Sequence, residues 1–209
     1  ASIEATIAER GLAYVPGSVE WADFDPAATA TALTTTDAAR RLPPAALAQS
    51  YDAYLAGFRR RRRGEIDWNN YSAYEIRILG ALVRLGRRED AHELLDFFLA
   101  DRRPLAWNQW PEILWRDPTR GQFLGDLPHG WIGSTWVHAL RTALVYERAF
   151  DRSLVLAAGV PSEWLAGNDP VRVSALPTQY GPLDYELWRE GPRRLRMRVG
   201  GHLAVPPGG

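Results

Sequence analysis

The spacing of apolar residues changes near residue 150, and this change limits the possible folds more than any other feature. Before it, apolar residues recur every three or four positions, as on the buried face of an amphipathic helix. After it, short runs alternate apolar with polar residues between turns that contain Gly and Pro, a pattern typical of antiparallel strands. We therefore predict a mainly α fold, with a helical-hairpin region over 1–150 followed by a small, sandwich-like antiparallel β region over 151–209.

The individual elements follow from the same periodicity. Helical spacing predicts four helices, over 44–63, 71–85, 89–100 and 134–148. Pro44 suits the first turn of a helix, and Gly86 separates two of the segments, which predicts an αα-hairpin. Alternation predicts strands that include 154–156, 171–173, 183–188 and 195–199.

Charge and composition exclude several classes of function. The chain has 25 basic and 25 acidic residues, so its net charge gives no general attraction for nucleic acid or an anionic membrane. Every basic residue is Arg, which excludes Schiff-base lysine chemistry and a Walker-type phosphate loop. The absence of Cys excludes disulfides and thiolate catalysis, and it leaves the redox compartment open. No apolar run is long enough to predict a membrane-spanning helix.

Five consecutive arginines, Arg59–Arg63, and four histidines are the remaining charged features. The arginines end a predicted helix, where cations interact favourably with the helix dipole and stay solvated; a nucleic-acid patch is the alternative. The histidines do not fall at metal-ligand spacings, and no nucleotide-binding glycine loop is present. The sequence therefore predicts no metal and no cofactor.

Tryptophan is the strongest functional signal. Five of the nine Trp residues fall in one 30-residue stretch, at positions 107, 110, 115, 131 and 136. Such residues are usually core, but their faces also stack on ligands and their indole N–H groups are donors. The stretch between Trp110 and Trp131 is interrupted by Pro and Gly, and long irregular loops are often functional.

Carboxylates within and before this stretch differ in context. Glu112 stands between Pro111 and Ile113 close to Trp110, and an enclosed carboxylate next to indoles suits general acid–base work. Asp117 and Asp126 lie beside Pro118 and Gly125, in contexts typical of turns. Asp25 precedes Pro26 and predicts a helix cap, with catalysis as the alternative.

The segment 107–140, WNQWPEILWRDPTRGQFLGDLPHGWIGSTWVHAL, resembles the closing part of an (α/α)6 toroid in the six-hairpin glycosidase superfamily, which includes trehalases and processing glucosidases. The matching elements are Glu112, Asp117-Pro118, Gly121, Gly125 and Gly130-Trp131. The stretch EWADFDPAATATAL is similar to the start of a preceding toroid helix. The continuation from 154 to 187 resembles the region after the toroid in large bacterial proteins named for discoidin or coagulation factor 5/8 type domains.

This resemblance implies a role for each candidate residue. Glu112 is implied to be the general base that activates water. Six residues are implied to bind the sugar: Trp107, Trp110, Trp115, Asp126, His129 and Trp131. The general acid of the superfamily lies in an earlier part of the toroid. We therefore expect the chain to be the C-terminal part of an inverting glycoside hydrolase, inactive alone.

The resemblance also implies partners. These are a carbohydrate substrate and either the preceding half of the toroid or a second chain, with self-association through exposed apolar surface as a further expectation. The alternative function is a non-catalytic carbohydrate-binding or structural module on the same fold. A weaker alternative is an epimerase or lyase, because similar barrels serve those reactions too.

Overall fold

The structure is a computed structural model that describes residues 2–117, 119 and 126–204. The chain divides into two compact units, 1–142 and 143–209. The boundary at residue 142 precedes the position near residue 150 where the apolar spacing changes, and it falls inside the last helix of the chain.

The first unit is built from helices and one small sheet. Its helices are α1 Ser2–Arg10, α2 Pro26–Thr35, α3 Pro44–Arg62, α4 Arg77–Arg84, α5 Arg88–Ala100 and α6 Gly130–Leu144, whose last two residues belong to the second unit. Short 3₁₀ turns occur at Ala38–Arg40, Ala73–Ile76 and Leu105–Trp107. Strand β1, Asn70–Ser72, pairs antiparallel with β2, Ile113–Trp115. Of the helices that the structure describes, none combines the length and apolar character that crossing a membrane requires.

Local signals in the sequence explain where several helices begin and end. The Asp25 carboxylate accepts a hydrogen bond of 2.9 Å from the backbone N–H of Ala28, which confirms the predicted cap of α2. Helix α3 begins at Pro44 as predicted. Between α4 and α5, Gly86 adopts a φ of 74°, a left-handed conformation that suits glycine. The two helices pack against each other, which confirms the predicted hairpin.

Close packing of α2 on α4 depends on a second glycine. A Cβ atom added at Gly80 would lie 3.0 Å from Cγ2 of Thr34, so a larger residue would push the helices apart. In the first unit, these large side chains are fully buried: Leu33, Tyr51, Leu55, Phe58, Ile76, Ile78, Leu79, Leu82, Leu94, Phe98 and Leu114.

The arginine run at the end of α3 is paired rather than freely solvated. Arg59 contacts Asp90 and Glu93 of α5 at 2.6 and 2.7 Å. Arg61 has only 14% of its side chain exposed and binds Glu75 at 2.6 Å. The prediction of a solvated helix end is therefore wrong for Arg61, because acidic residues far away in the sequence fold against it.

The second unit is a β structure. Strands β3 Val145–Arg148 and β4 Ser153–Leu156 form an antiparallel hairpin, and β5 Val171–Thr178, β6 Gly181–Arg189 and β7 Leu195–Gly201 form a sheet in that order. Adjacent strands of the sheet are antiparallel. Its core comprises Val145, Val160, Leu165, Val173, Leu183, Tyr185 and Leu187. The four predicted strand segments all lie within β4–β7 and are confirmed.

The prediction of a mainly α fold is wrong. The structure is 45% helix and 19% strand, with six helices and three small antiparallel sheets in its described part, which makes it a mixed α/β fold. Strands β1 and β2 have three residues each, too few for a visible alternation. The predicted helix 71–85 begins only at Arg77, and the end of the predicted helix 134–148 is strand β3.

Candidate functional site

The small β1–β2 sheet fixes the backbone of Glu112. The carbonyl oxygen of Glu112 accepts hydrogen bonds from the Ala73 N–H at 2.8 Å and from the Ser72 hydroxyl at 3.3 Å. Its N–H donates to Oδ2 of Asp126 at 2.9 Å. Both polar groups of the peptide are thus satisfied, while 45% of the Glu112 side chain remains exposed. The backbone of Glu112 is therefore fixed, while its carboxylate is half exposed. The expectation that indoles enclose this carboxylate is wrong.

His129 lies next to this carboxylate, immediately before α6. Its Nδ1 accepts a hydrogen bond of 3.2 Å from the backbone N–H of Ile132, in the first turn of the helix. Its Nε2 lies 3.7 Å from Oε2 of Glu112 and 3.6 Å from Oδ1 of Asp126. Only 11% of the His129 side chain is exposed. The three residues, named here the Glu112–Asp126–His129 cluster, form the candidate site.

The hydrogen bond at Nδ1 determines which nitrogen of His129 carries the proton. A neutral imidazole has one donor and one acceptor nitrogen. Because Nδ1 accepts from Ile132, Nε2 is the donor, and its proton faces the carboxylates of Glu112 and Asp126. The distances are longer than direct hydrogen bonds, so the interaction with the carboxylates is electrostatic.

The same atoms also have the composition of a metal site. One carboxylate oxygen from each acid and one His129 nitrogen all lie within 4.8 Å of one another. Metal binding at Nε2, however, would move the proton to Nδ1 and break the bond to Ile132. The arrangement therefore suits proton transfer better than metal binding. Histidine spacing alone did not indicate this cluster, because its members come from two chain segments.

Aromatic side chains border the cluster. The ring of Tyr74 meets His129 edge to face at a centroid distance of 6.2 Å, and the Arg77 guanidinium lies 4.0 Å from the centre of the Tyr74 ring. Burial and then the negative charge of Glu112 raise the pKa of Tyr74 above its usual 10.0, although Arg77 opposes the shift. Trp131 lies 6.4 Å from His129 and is 73% exposed.

The other three predicted tryptophans differ in their burial and contacts. Trp110 is buried, stacks on Trp136 at 4.0 Å and donates its indole N–H to the Phe98 carbonyl at 2.9 Å, so it is a core residue. Trp115 lies in β2 opposite Asn70, and its carbonyl accepts a hydrogen bond from Arg103. Trp107 is exposed in the turn Leu105–Trp107.

The structure confirms the predicted turn role for Asp117 but gives Asp126 a different role. Asp117 accepts hydrogen bonds from the N–H and hydroxyl of Thr119, which confirms its role in a turn. Asp126 instead binds the Glu112 peptide. Pro118, Gly121 and Gly125 lie outside the described residues.

Sequence reasoning missed Tyr74 and Ser72 as site residues, because the predicted helix 71–85 placed Tyr74 on its apolar, core-facing side and gave Ser72 no role. The signal that argues against this helix is the preceding Asn69-Asn70 pair, since Asn disfavours helix interiors and favours turns.

Beyond His129, a cavity of about 290 Å³ is lined by Asn108, Gln109, Trp110, Pro128, His129, Gly130 and Gly133. His129 therefore borders this space and also lies close to the two carboxylates. Comparison of the chain with protein-family models, with curated proteins and with solved structures finds no match.

Proposed function

We propose that the Glu112–Asp126–His129 cluster is the general-base side of a carbohydrate-acting site, and that the reaction is inverting glycoside hydrolysis. The observation that carries the proposal is the placement of Glu112. Its carboxylate is half exposed, while hydrogen bonds on both sides of its peptide fix the backbone. A base that activates water needs this combination of access and fixed position.

In the proposed reaction, Glu112 removes a proton from water while the water oxygen attacks the anomeric carbon. The bond from that carbon to the leaving oxygen breaks, and a general acid protonates the leaving oxygen. His129 directs its Nε2–H toward the carboxylates of Glu112 and Asp126, at 3.7 and 3.6 Å. Exposed Trp131 beside His129 offers an aromatic face to the sugar.

Asp126 does not fit the role of the general acid. Its Oδ2 is held by the Glu112 N–H, and one oxygen of each carboxylate lies within 4.8 Å of the other. Inverting enzymes separate their two carboxyl groups by about 6.5–9.5 Å to admit the water. The proposal therefore requires an acid outside the cluster, and the resemblance to six-hairpin glycosidases implies that it precedes the segment 107–140.

The absence of an acid within the cluster also favours a second candidate, a non-catalytic carbohydrate-binding module. In that case Glu112 accepts hydrogen bonds from sugar hydroxyls, and Trp131 provides a stacking face. The two candidates differ in turnover and agree in binding.

The test is hydrolysis by the polypeptide that contains this chain together with whatever precedes it. Wild type, Glu112→Gln and Glu89→Gln are assayed on a panel of aryl glycosides and disaccharides. Glu89 lies exposed in the first turn of α5 and serves as the matched control. We expect Glu112→Gln to lower kcat by about 10³-fold with sugar affinity retained, and Glu89→Gln to behave as wild type.

Equal turnover by wild type and Glu112→Gln contradicts the proposed base. Sugar binding without turnover by any of the three proteins favours the binding module. Product stereochemistry then decides the mechanism, since retention of the anomeric configuration contradicts inversion.

A further inference from the structure

A second cavity adjoins the cluster and has no role in the account so far. It measures about 510 Å³, within the usual range of ligand pockets. Its walls are the start of α2, one face of α3 and the segment 72–78. We propose that this cavity binds a second, uncharged sugar ring next to the ring attacked at Glu112. The identity of the ligand class rests on the proposed function, whereas the existence of the pocket does not.

Apolar side chains form much of the wall. They are Phe24, Pro26, Ala53, Phe58, Ile66 and Ile78. Phe24 is 43% exposed, although its ring also meets Tyr14 at a centroid distance of 5.2 Å. The exposed part of an aromatic ring can cover the apolar C–H face of a sugar.

The polar groups of the wall are balanced in charge. Glu75 accepts hydrogen bonds from the Tyr54 hydroxyl at 2.6 Å and from two Arg61 nitrogens at 2.9 and 2.6 Å. Asp25 and Arg77 supply one further negative and one further positive charge. The buried Nε of Arg61 has no hydrogen-bond partner among the described residues. Two cations against two anions give no preference for a charged ligand, and the mixed donors and acceptors suit hydroxyl groups.

The cavity and the cluster share a wall. The Ser72 hydroxyl lines the cavity and also donates to the Glu112 carbonyl. Tyr74 lines the cavity while its ring contacts His129. A sugar in the cavity therefore lies one side chain away from the cluster, which is the arrangement of neighbouring subsites for linked sugar rings.

Gly57 allows the cavity to be filled without disturbing the backbone. It lies in α3 and lines the cavity, and a Cβ atom added there meets nothing within 4 Å. Gly57→Phe places a ring where the sugar is proposed to bind. Gly57→Ala is the matched control, since Ala is favourable in a helix and leaves most of the cavity open.

The experiment measures binding of maltotriose, cellotriose and xylotriose to the 209-residue chain by calorimetry. We expect wild type to bind at least one trisaccharide, and Gly57→Phe to bind it at least about 10-fold more weakly than Gly57→Ala does. Equal affinity for Gly57→Phe and Gly57→Ala overturns the proposal, as does a wild type that binds none of the three.

Phe24→Ala is a second variant that tests the cavity even if the Gly57→Phe protein does not fold. It removes an exposed aromatic ring from the cavity wall, and the same loss of trisaccharide affinity is expected. This test and the test of the base give separate results, because the base is judged by turnover and the cavity by trisaccharide affinity. If hydrolysis depends on Glu112 but Gly57→Phe does not change the affinity for the trisaccharide, the proposed base stands and only the proposed second subsite is contradicted.

Discussion

Glu112 is positioned by its peptide group rather than by its own side chain. The residues that hold it, Ala73, Ser72 and Asp126, all contact backbone atoms of Glu112. The carboxylate takes no part in these three hydrogen bonds, although neighbouring charges still act on it. Asp126 acts on the candidate site by holding the backbone N–H of Glu112, and we therefore regard it as a positioning residue.

Two substitutions of Asp126 separate positioning from charge. Asp126→Asn keeps an oxygen that accepts the Glu112 N–H, while Asp126→Ala removes it. We expect kcat to fall by about 10²-fold in Asp126→Ala, the effect of a displaced catalytic group, and by less in Asp126→Asn. The kcat of both variants is measured with the aryl glycoside that wild type hydrolyses fastest. A larger loss in Asp126→Asn than in Asp126→Ala would show that the charge, not the hydrogen bond, is what Asp126 contributes.

Asp25 provides a prediction that does not depend on function. Removing its cap in Asp25→Ala should lower the free energy of unfolding by about 1 kcal/mol. Asp25→Asn, which retains an acceptor, should change it by only a few tenths of that amount. Urea denaturation of wild type and both variants measures these free energies of unfolding. If Asp25→Ala is as stable as Asp25→Asn, the hydrogen bond to Ala28 contributes nothing.

At the scale of elements, the sequence predicts the helices that carry strong local signals. Pro44 begins α3, Asp25 caps α2 and Gly86 joins α4 to α5, all as expected. The β1–β2 sheet was not predictable in the same way, because three-residue strands depend on a partner about 40 residues away rather than on local pattern. That sheet positions Glu112, so the site was only partly predictable.

Ion pairs join α3 to α5 and should make stability depend on pH. Burial tends to raise the pKa of Asp90, but hydrogen bonds from Arg87 and Arg59 outweigh it and hold the pKa below 3.8. A carboxylate with a lowered pKa stabilises the fold above its unfolded pKa, and this stabilisation disappears as the pH falls through the folded value.

The test is acid unfolding of wild type and Asp90→Asn. We expect the free energy of unfolding of wild type to decline as the pH drops below 3.8, and the decline to be shallower in Asp90→Asn. Asp67→Asn, at a residue whose ion pair with Arg116 is largely exposed, serves as the control and should follow wild type. Identical acid profiles for Asp90→Asn and wild type would contradict the account of this ion pair.

At the scale of the whole molecule, the sequence predicts a helical region followed by a β region. It does not predict that the fold as a whole belongs to a mixed α/β class. The periodicity correctly locates strands β4–β7, whereas it continues a helix through 145–148, where the chain forms β3. Val145 and Tyr146 fit both the helical spacing and a strand, and their pairing with Leu156 and Val155 decides between the two. Tertiary pairing is what a local pattern cannot supply.

Buried tyrosines in both units predict how the molecule responds to alkali. Burial raises the pKa of Tyr185 from 10.0 to about 12, and burial is also the leading cause of the raised pKa values of Tyr51, Tyr54 and Tyr71. A raised pKa means that the neutral side chain stabilises the fold below pH 10.0, and that this stabilisation is lost as the pH rises toward 12.

Tyrosinate absorbance and unfolding, followed together during alkaline titration, check this expectation. Four of the eight tyrosines should ionise only as the fold is lost, and Tyr185→Phe should remove one of them. Smooth ionisation of all eight near pH 10.0, with the fold intact, would contradict the described burial.

The central claim is that the Glu112 carboxylate acts as a base, and chemical rescue tests it most directly. Glu112→Ala leaves space at the carboxylate, which a small anion such as formate or azide can occupy. In the polypeptide that contains this chain, we expect Glu112→Ala to be inactive, and added anion to restore turnover of an activated aryl glycoside in proportion to its concentration. Azide should also yield a glycosyl azide of inverted configuration. If Glu112→Ala folds and binds sugar but neither anion restores any turnover, or if Glu112→Ala is as active as wild type, the claim is contradicted.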